Sequence, residues 1–441
     1  MIERTGAAFA SFAERWVPSP FVFALLLTAI TFVLGVTWLR AAPLQVLDGW
    51  GDGFWEFLSF GMQMSLVLVT GHALAMSGFV SRGIGRLADI PRGTRSAAAL
   101  TGFVSVVVSL VHWGLGLVAG ALLAREIGRS AVRRGLSVHY PLVVAAAYAG
   151  FLAWHGGLSG SAPLTVATSG HFLEGEIGVI PVARTLGSPL NLAMSAMLLV
   201  AVPLFAALLA PRSGERAAPA EVLADAASRE DERSSTPAGR LDHSALLAIS
   251  VAIVGLVYVG RQFAARGFSA LDFNLVNFTF LFLGLLLYRS PAAYGRAIAG
   301  GAKEVSGILL QFPFYAGILG MMKATGLLTR MAELATLAGP KLFLVSTFLT
   351  AGLVNLFVPS GGGQWGVQGP VVVDAALRLD VPVERAVLAL AYGDEWTNML
   401  QPFWALALLG VTRLEARDIV GYTTLIMLLT GPLYVGALLF L

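Results

Sequence analysis

The chain has 441 residues, of which 12% are charged, 56% are hydrophobic and none is cysteine. A charge content this far below the ~25% of soluble proteins excludes a water-soluble globule, and the missing cysteines exclude disulfides and thiolate metal clusters. The net charge of +3 arises from 29 basic and 26 acidic residues, a balance that excludes nucleic acid as a partner.

Asp, Glu, Lys and Arg are absent from 16–39, 57–81, 96–124, 135–173, 185–211, 243–260, 305–322, 342–373, 396–412 and 419–441. Each run approaches or exceeds the ~17–25 apolar residues that span a bilayer. Glu3 and Glu14 precede a first run too long for a signal-peptide core, so no cleavable leader is expected. The predicted elements begin with helix 18–39, helix 54–80, a stretch at 96–124, helix 139–170 and helix 182–210. Residues 211–243 hold 5 Arg and 7 acidic residues among Ala, Ser and Pro, and read as a polar loop. A connector helix at 244–263, helices 273–288 and 298–322, a stretch at 341–379, and helices 383–411 and 418–440 follow.

Three landmarks recur in one order. Gln63, fifteen residues before Gly78, matches Gln311, fifteen before Gly326; His112 matches Asn355; and Tyr148 matches Tyr392. The offsets of 248, 243 and 244 mark a duplication. Arg82, Arg86, Arg92 and Arg95 precede 96–124, and Arg125, Arg129, Arg133 and Arg134 follow it. A single crossing would put one cluster outside, against the positive-inside rule. The stretch is therefore expected to dip in and return, turning at Trp113-Gly114-Leu115-Gly116, and 341–379 to do the same with its tip at Pro359–Gly363. With the N-terminus inside, cytoplasmic segments collect 20 of the 29 basic residues. Five crossings separate the hairpins, so the second enters from outside. The fold class is an all-α polytopic membrane protein of two inverted repeats, with about nine full spans plus two re-entrant hairpins. The first repeat is 1–210, the cytoplasmic loop 211–243, the connector 244–263 and the second repeat 264–441.

Helices 139–170 and 383–411 each hold a stretch unfit for ordinary helix: Trp154–Pro163, with three glycines and a proline, and Gly393–Pro402. Broken helices at matching positions of inverted halves point to a midplane site. Asp394 and Glu395 lie in a run otherwise uncharged from 386 to 412, and intramembrane carboxylates are costly and usually functional. Trp113, Trp154, Trp365 and Trp396 flank the four irregular stretches, as cavity walls or packing. Close helix packing is the plainer role of the glycines, and hydrogen-bonded packing that of His72, His112 and His155. Gly157-Leu158-Ser159-Gly160 also fits the pattern of rhomboid-type intramembrane serine proteases, with Ser159 as nucleophile. A second hairpin and an inverted half have no place in such an enzyme, and opposed hairpins speak against a channel.

GWGDGFWEFLSFGMQM (49–64), WHGGLSGSAPL (154–164), QFPFYAG (311–317), NLFVPSGGGQWGVQGP (355–370) and AYGDEWTNMLQPFWA (391–405) closely resemble the short-chain fatty acid transporter family. The likeness covers nearly the whole chain except the polar loop. It implies a bacterial cytoplasmic-membrane permease for acids such as butyrate and acetoacetate, within a superfamily that includes divalent-anion/sodium symporters. It further implies a scaffold, a mobile domain with two hairpins, elevator-type alternating access and a homodimer. The Ser-Asn-Thr tip motifs that hold sodium and substrate carboxylate in those relatives are missing here, so sodium coupling does not carry over residue by residue; the coupling ion is expected to be H⁺ or Na⁺, with no other metal or cofactor. A small monocarboxylate suits the mostly neutral candidates. Ser159, Ser161, Ser360, Gly361, Gly362, Gly363, Gln364, Asn398, Trp113, Trp154 and Trp365 are expected to bind it, with Gln368 and Gln401 nearby. His112, Asn355, Asp394, Glu395 and Thr397 are expected to serve cation or proton coupling. No Arg or Lys stands in the irregular stretches for a bidentate clamp, so backbone N–H groups at Gly361–Gly363 would meet the single charge. Export of another small organic anion is the alternative.

Overall fold

The computed structural model describes residues 20–211, 216–223, 236–302, 305–356, 358, 360–401 and 404–441. The expected N-terminal segment, much of the polar loop, and Pro359 and Pro402 of the irregular stretches lie outside the described residues. All regular structure among the described residues is helical. The first half comprises α1 (Pro20–Thr37), α2 (Pro43–Gly53), α3 (Leu58–Ala75), α4 (Gly78–Ala88), α5 (Thr94–Val111), α6 (Trp113–Arg133), α7 (Tyr140–Ala149), α8 (Ser161–Ala167) and α9 (Pro189–Leu208). After α10 (Ala245–Arg266) come α11 (Phe273–Tyr288), α12 (Pro291–Ala302), α13 (Ser306–Thr325), α14 (Leu327–Ala335), α15 (Gly339–Asn355) and α16 (Gly361–Arg378). α17 (Val383–Thr397), α18 (Ala405–Thr412) and α19 (Ala416–Phe440) complete the chain.

Among the described residues, seven segments are long and apolar enough to cross a membrane, and shorter apolar helices add Ala24–Thr37, Tyr140–Ala153 and Phe273–Tyr288. Helix 383–411 was expected as one broken span, and its two pieces are each too short to count alone. Leu246, Val254, Leu208 and Val200 stay largely exposed on α10 and α9, as a lipid-facing surface requires.

Hairpin 1 returns to its origin. His139 donates its N–H to Thr94 Oγ1 at 2.9 Å, and Arg134 donates to the carbonyls of Asp89 (2.7 Å) and Pro91 (2.9 Å). The residues before α5 therefore touch those after α6. α4 packs on α6 as α14 packs on α16. The pairings repeat elsewhere too: α1 and α2 pack on α13, while α11 and α12 pack on α3. The α2–α13 contact is backbone on backbone, since a Cβ at Gly320 would lie 2.1 Å from Gly49 O. Such small-residue contacts replace the hydrophobic drive that lipid does not supply.

Several expected boundaries move. The turn of hairpin 1 lies at His112 rather than Trp113–Gly116: His112 is extended (φ −161°, ψ 116°) and its Nδ1 accepts the Leu115 N–H at 3.3 Å, so Trp113 starts α6. The hairpin arms run from Thr94 to Arg133, not 96–124, because Arg125 and Arg129 find Glu126 within the helix. Gly361–Gly363 are not a loop; Ser360 Oγ accepts the Gly363 N–H at 3.2 Å, and the glycines form the first turn of α16. Gly393–Thr397 are helical, and the second break begins at Asn398. Helix 54–80 ends at Ala75, where Ser77 caps a separate α4, and the span expected over 182–210 starts at Pro189 behind the Ser188 cap. In place of helix 298–322 stand α12 and α13, with α12 opened by Pro291.

Candidate functional site

The chain unwinds between α7 and α8, after a 3₁₀ turn at Gly150–Ala153, and the gap at 154–160 is held from several sides. Asn191 on α9 donates Nδ2 to Gly156 O at 2.9 Å, Leu158 donates its N–H to Leu110 O at 2.7 Å, and Ser159 Oγ accepts the Trp113 N–H at 2.9 Å. Ser159 thus ties this break to the tip of hairpin 1. The second break is held by Tyr148, whose hydroxyl donates to Asn398 O at 2.9 Å. Its repeat mate Tyr392 donates to Asn191 Oδ1 at 3.0 Å, so the paired tyrosines brace the two breaks, one directly and one through Asn191.

Asp394 and Glu395 occupy the last turn of α17, both about 1% exposed. The His155 ring lies between helix and break: Nδ1 is 3.2 Å from Asp394 Oδ2, and Nε2 accepts the Ala162 N–H at 3.0 Å. Glu395 Oε2 accepts the His155 N–H at 2.7 Å, while Oε1 is 3.2 Å from Tyr434 Oη. Asn355, closing α15, directs Nδ2 at Asp394 O (2.7 Å), Asn398 Oδ1 (2.9 Å) and Thr397 Oγ1 (3.0 Å). Asp394 Oδ1, Asn355 Oδ1 and Gln364 Oε1 are buried acceptors, and Asn398 Nδ2 and the Trp113 and Trp154 indole nitrogens buried donors, with no hydrogen-bond partner among the described residues. Acceptors and donors left over around one hairpin tip suit a ligand that brings both, and the carboxylate among them suits a proton or a cation.

The tip itself is tightly enclosed. A Cβ at Gly361 would stand 2.4 Å from the Trp154 ring and 3.1 Å from Asp394 Oδ2; one at Gly363 would meet Tyr315 at 2.5 Å. In front of Ser360 and Gly361 lies an aromatic box of Trp113, Phe151, Trp154 and Trp404, closed by Met64, Ile308 and Phe312. Trp113 lies 5.3 Å from Trp404 and 5.8 Å from Trp154, and Trp154 stacks on His155 at 4.2 Å. Its free volume is about 10 Å³, room for one water but not for a four-carbon acid. A separate vestibule of about 750 Å³ is lined by Glu56, Gln63, His171, Asn274, Asn277 and Phe60. Phe60 divides the two, 5.5 Å from Phe312. His171 at the vestibule wall is lowered from its usual value, chiefly by burial, and its Nε2 is bonded to Gly178 O.

The structure brings Trp113, Trp154, Ser360 and Gly361 to the box, and Asn355, Asp394, Glu395, Thr397 and Asn398 to the network behind it. Ser161 borders Met64, with Oγ 3.5 Å from Sδ, and Gly362 faces Phe60 and Phe312. Gln364 donates to Ala351 O and to Gln368 Oε1, and Gln401 to Asn355 O. His112 stands apart, edge-on to Phe280 at 4.4 Å. Trp365 is fully buried against Gly369, and Trp396 donates to Met427 O on α19. Phe151, Trp404, Met64, Ile308, Phe312 and Tyr434 were not foreseen. Met64, Phe312 and Trp404 lie in stretches that carry the family resemblance, but none of the six has a side chain that marks a binding role in the sequence.

Comparison with known proteins agrees with this architecture. The family described as Short chain fatty acid transporter matches residues 1–441. Two relatives bear the name "Putative short-chain fatty acid transporter". The one from Escherichia coli (strain K12) is 40% identical over 439 residues, 99% of each chain. The one from Haemophilus influenzae is 37% identical over 452 aligned residues, covering both chains fully. Among solved structures, the Alcanivorax borkumensis YdaH transporter superposes with a TM-score of 0.61 at 19% identity, covering 95% of this chain and 98% of its own. Neisseria gonorrhoeae MtrF, from a class of antimetabolite efflux pumps, gives 0.52 at 13% identity, covering 98% and 97%. At such identities the two structures speak to the fold alone. A full-length family match, close relatives across the whole chain and a shared helical fold place this multi-pass membrane protein in the short-chain fatty acid transporter family.

Proposed function

We propose that the chain is a secondary active transporter that carries short-chain monocarboxylates such as butyrate or acetoacetate across the bacterial cytoplasmic membrane. Elevator-type alternating access, coupled to H⁺ or Na⁺, moves the box between the two faces. The observation that carries this reading is the meeting, at the tip of α16, of an aromatic box and a buried carboxylate with an unpartnered oxygen. The box has the chemistry for a short alkyl chain. The Gly361 and Gly362 N–H groups at the start of α16, ahead of those of Gly363 and Gln364 that Ser360 accepts, suit a carboxylate. A co-transported cation would neutralise Asp394 when the anion arrives.

Long-range contacts support the proposed topology of inverted repeats. Expected external segments touch one another: Lys323 pairs with Glu56 at 2.9 Å and Arg184 with Glu384 at 2.8 Å. Expected cytoplasmic ones do likewise: Arg216 pairs with Asp418 at 2.6 Å, and Arg134 reaches Asp89 O. On this reading the vestibule opens outward and the N-terminus is cytoplasmic. A homodimer would keep one part fixed while the hairpins move. The protease reading falls with the family, which is one of transporters. Isotope uptake in proteoliposomes, with Na⁺ and pH gradients imposed separately, tests the proposal. Accumulation of butyrate or acetoacetate under one gradient is expected, and no uptake under either would overturn it.

A further inference from the structure

Asp394 and Glu395 are neighbours in sequence and equally buried, yet their oxygens are treated differently. Tyr434 Oη lies 2.5 Å from Leu152 O and 3.2 Å from Glu395 Oε1, and a phenol has one hydrogen to give. At 2.5 Å from a carbonyl the phenol must be the donor, because two bare oxygen lone pairs would repel. The hydrogen between Tyr434 and Glu395 then has to come from Glu395 Oε1. Its other oxygen accepts the His155 N–H at 2.7 Å. The Gly156 N–H also bonds to this carboxyl. A carboxylic acid at 395 supplies the hydrogen that the Tyr434–Oε1 contact otherwise lacks.

His155 settles the other side by the same count. Its Nε2 accepts the Ala162 N–H, so Nε2 holds no hydrogen, and the ring proton is on Nδ1, directed at Asp394 Oδ2. That bond suits an ionised Asp394 and leaves Oδ1 buried without a partner. The hairpin tip lies directly over this pair, as the 3.1 Å approach of a Gly361 Cβ to Oδ2 records. The other titratable groups facing the two carboxylates are Tyr434 on α19 and Tyr392 on α17 itself, both hydrogen-bonded.

We propose that the carboxylates divide the work: Glu395 is a permanently protonated brace that holds the first helix break, and Asp394, oriented by His155, is the one whose charge changes in the transport cycle. This rests on the transport reading and deepens it. His155 acts as a positioning residue, because it fixes where the free lone pairs of Asp394 point.

The test uses the full chain in proteoliposomes. Glu395→Gln preserves the pattern, since its C=O accepts the His155 N–H and its NH₂ donates to Tyr434 Oη. It is expected to keep gradient-driven butyrate accumulation. Asp394→Asn is expected to lose accumulation while butyrate/butyrate counterflow persists. His155→Gln should shift the dependence of accumulation on the coupling ion while counterflow is kept. Infrared spectroscopy supplies a readout independent of activity: at neutral and mildly alkaline pH, where exposed carboxyl groups are ionised, a protonated-carboxyl stretch should be present and should be lost in Glu395→Gln. Loss of accumulation in Glu395→Gln with counterflow intact would overturn the proposal. So would wild-type accumulation in Asp394→Asn, or the absence of that infrared band. Should the wild type carry no butyrate, the transport reading fails, and the infrared band still decides the state of Glu395.

Discussion

The two hairpin tips are built on one plan and finished differently. In each, a helix ends, one polar side chain caps the next helix, and glycines follow: His112 accepts from Leu115 in the first, Ser360 from Gly363 in the second. The two caps stand 248 residues apart, the same offset that relates Gln63 to Gln311. Hairpin 1 is then closed by neighbours, with the Trp113 N–H on Ser159 and the His112 ring packed so close to Gly71 that a Cβ there would lie 2.4 Å from it. Hairpin 2 has small residues at the same place and three unpartnered buried oxygens behind it. The two tips thus share a plan but differ in what surrounds them: the first is tied to the helix break at Ser159, and the second faces the aromatic box and the buried carboxylates. Unpartnered buried atoms occur at both tips, as ring nitrogens of His112 and Trp113 at the first and as acceptor oxygens, one of them on a carboxylate, at the second; a carboxylate inside a membrane is the costlier, and it points to function at the second tip.

The sharpest way to break this contrast is to add one methyl group to each tip. Gly361→Ala would push a Cβ to 2.4 Å from Trp154, whereas at Gly114 the nearest atom is 3.4 Å away on His112. Overpacking costs about 1–3 kcal/mol. Gly361→Ala should therefore abolish uptake and lower the thermal midpoint in detergent, while Gly114→Ala keeps both near wild type. Equal damage from both would make the tips equivalent and remove the functional asymmetry.

A smaller effect is expected from Ser360→Ala and Gly362→Ala. Removing the Ser360 cap costs about 1 kcal/mol of stability. Gly362→Ala presses on ring edges of Phe60 and Phe312 at 3.0 and 3.1 Å. Both should weaken butyrate or acetoacetate binding in detergent, and Ser77→Ala, which removes a comparable cap on α4, should not. Full affinity in both tip variants would move the anion site toward Ser161, since Ser159 Oγ is already committed to Trp113.

Much of the helical frame around this candidate site was legible in the sequence. Charge-free runs of span length, the Arg clusters around 96–124 and the Tyr148–Tyr392 spacing pointed to the helices, the first hairpin and the paired breaks, because each follows from composition or repetition. The local endings did not follow. Asp394 and Glu395 stay helical because Tyr148 and Asn355 hold the break just beyond them, a long-range effect. Likewise, Gly361–Gly363 read as a loop by propensity but are helical behind the Ser360 cap. His155 looked like a packing residue because its partners, Asp394 and Ala162, meet only in the fold. Tyr434 had no signal at all: it is one aromatic in an apolar helix, and its value lies in reaching Leu152 and Glu395.

The mildest substitutions address the geometry on which the contrast depends, namely that the tips enter from opposite faces. The chain has no cysteine, so single cysteines report cleanly. Gly83 has open space around it and sits on α4, before hairpin 1. Gly135, after the hairpin, has φ +62° and disfavours a Cβ, so exposed Ser137 is the better probe there. Leu337, 81% exposed just before α15, reports on the entrance of hairpin 2. None of the three touches the box or the carboxylates, so transport should be unchanged. Gly83→Cys and Ser137→Cys should react with an impermeant thiol reagent only from the cytoplasm, and Leu337→Cys only from outside. The Arg134 bonds to Asp89 and Pro91 already require the first two positions to share a side. Labelling of Leu337→Cys from that same side would put both tips on one face of the membrane. The repeats would then be parallel, and a single box could not be offered alternately to the two sides by moving hairpins that enter from opposite ones.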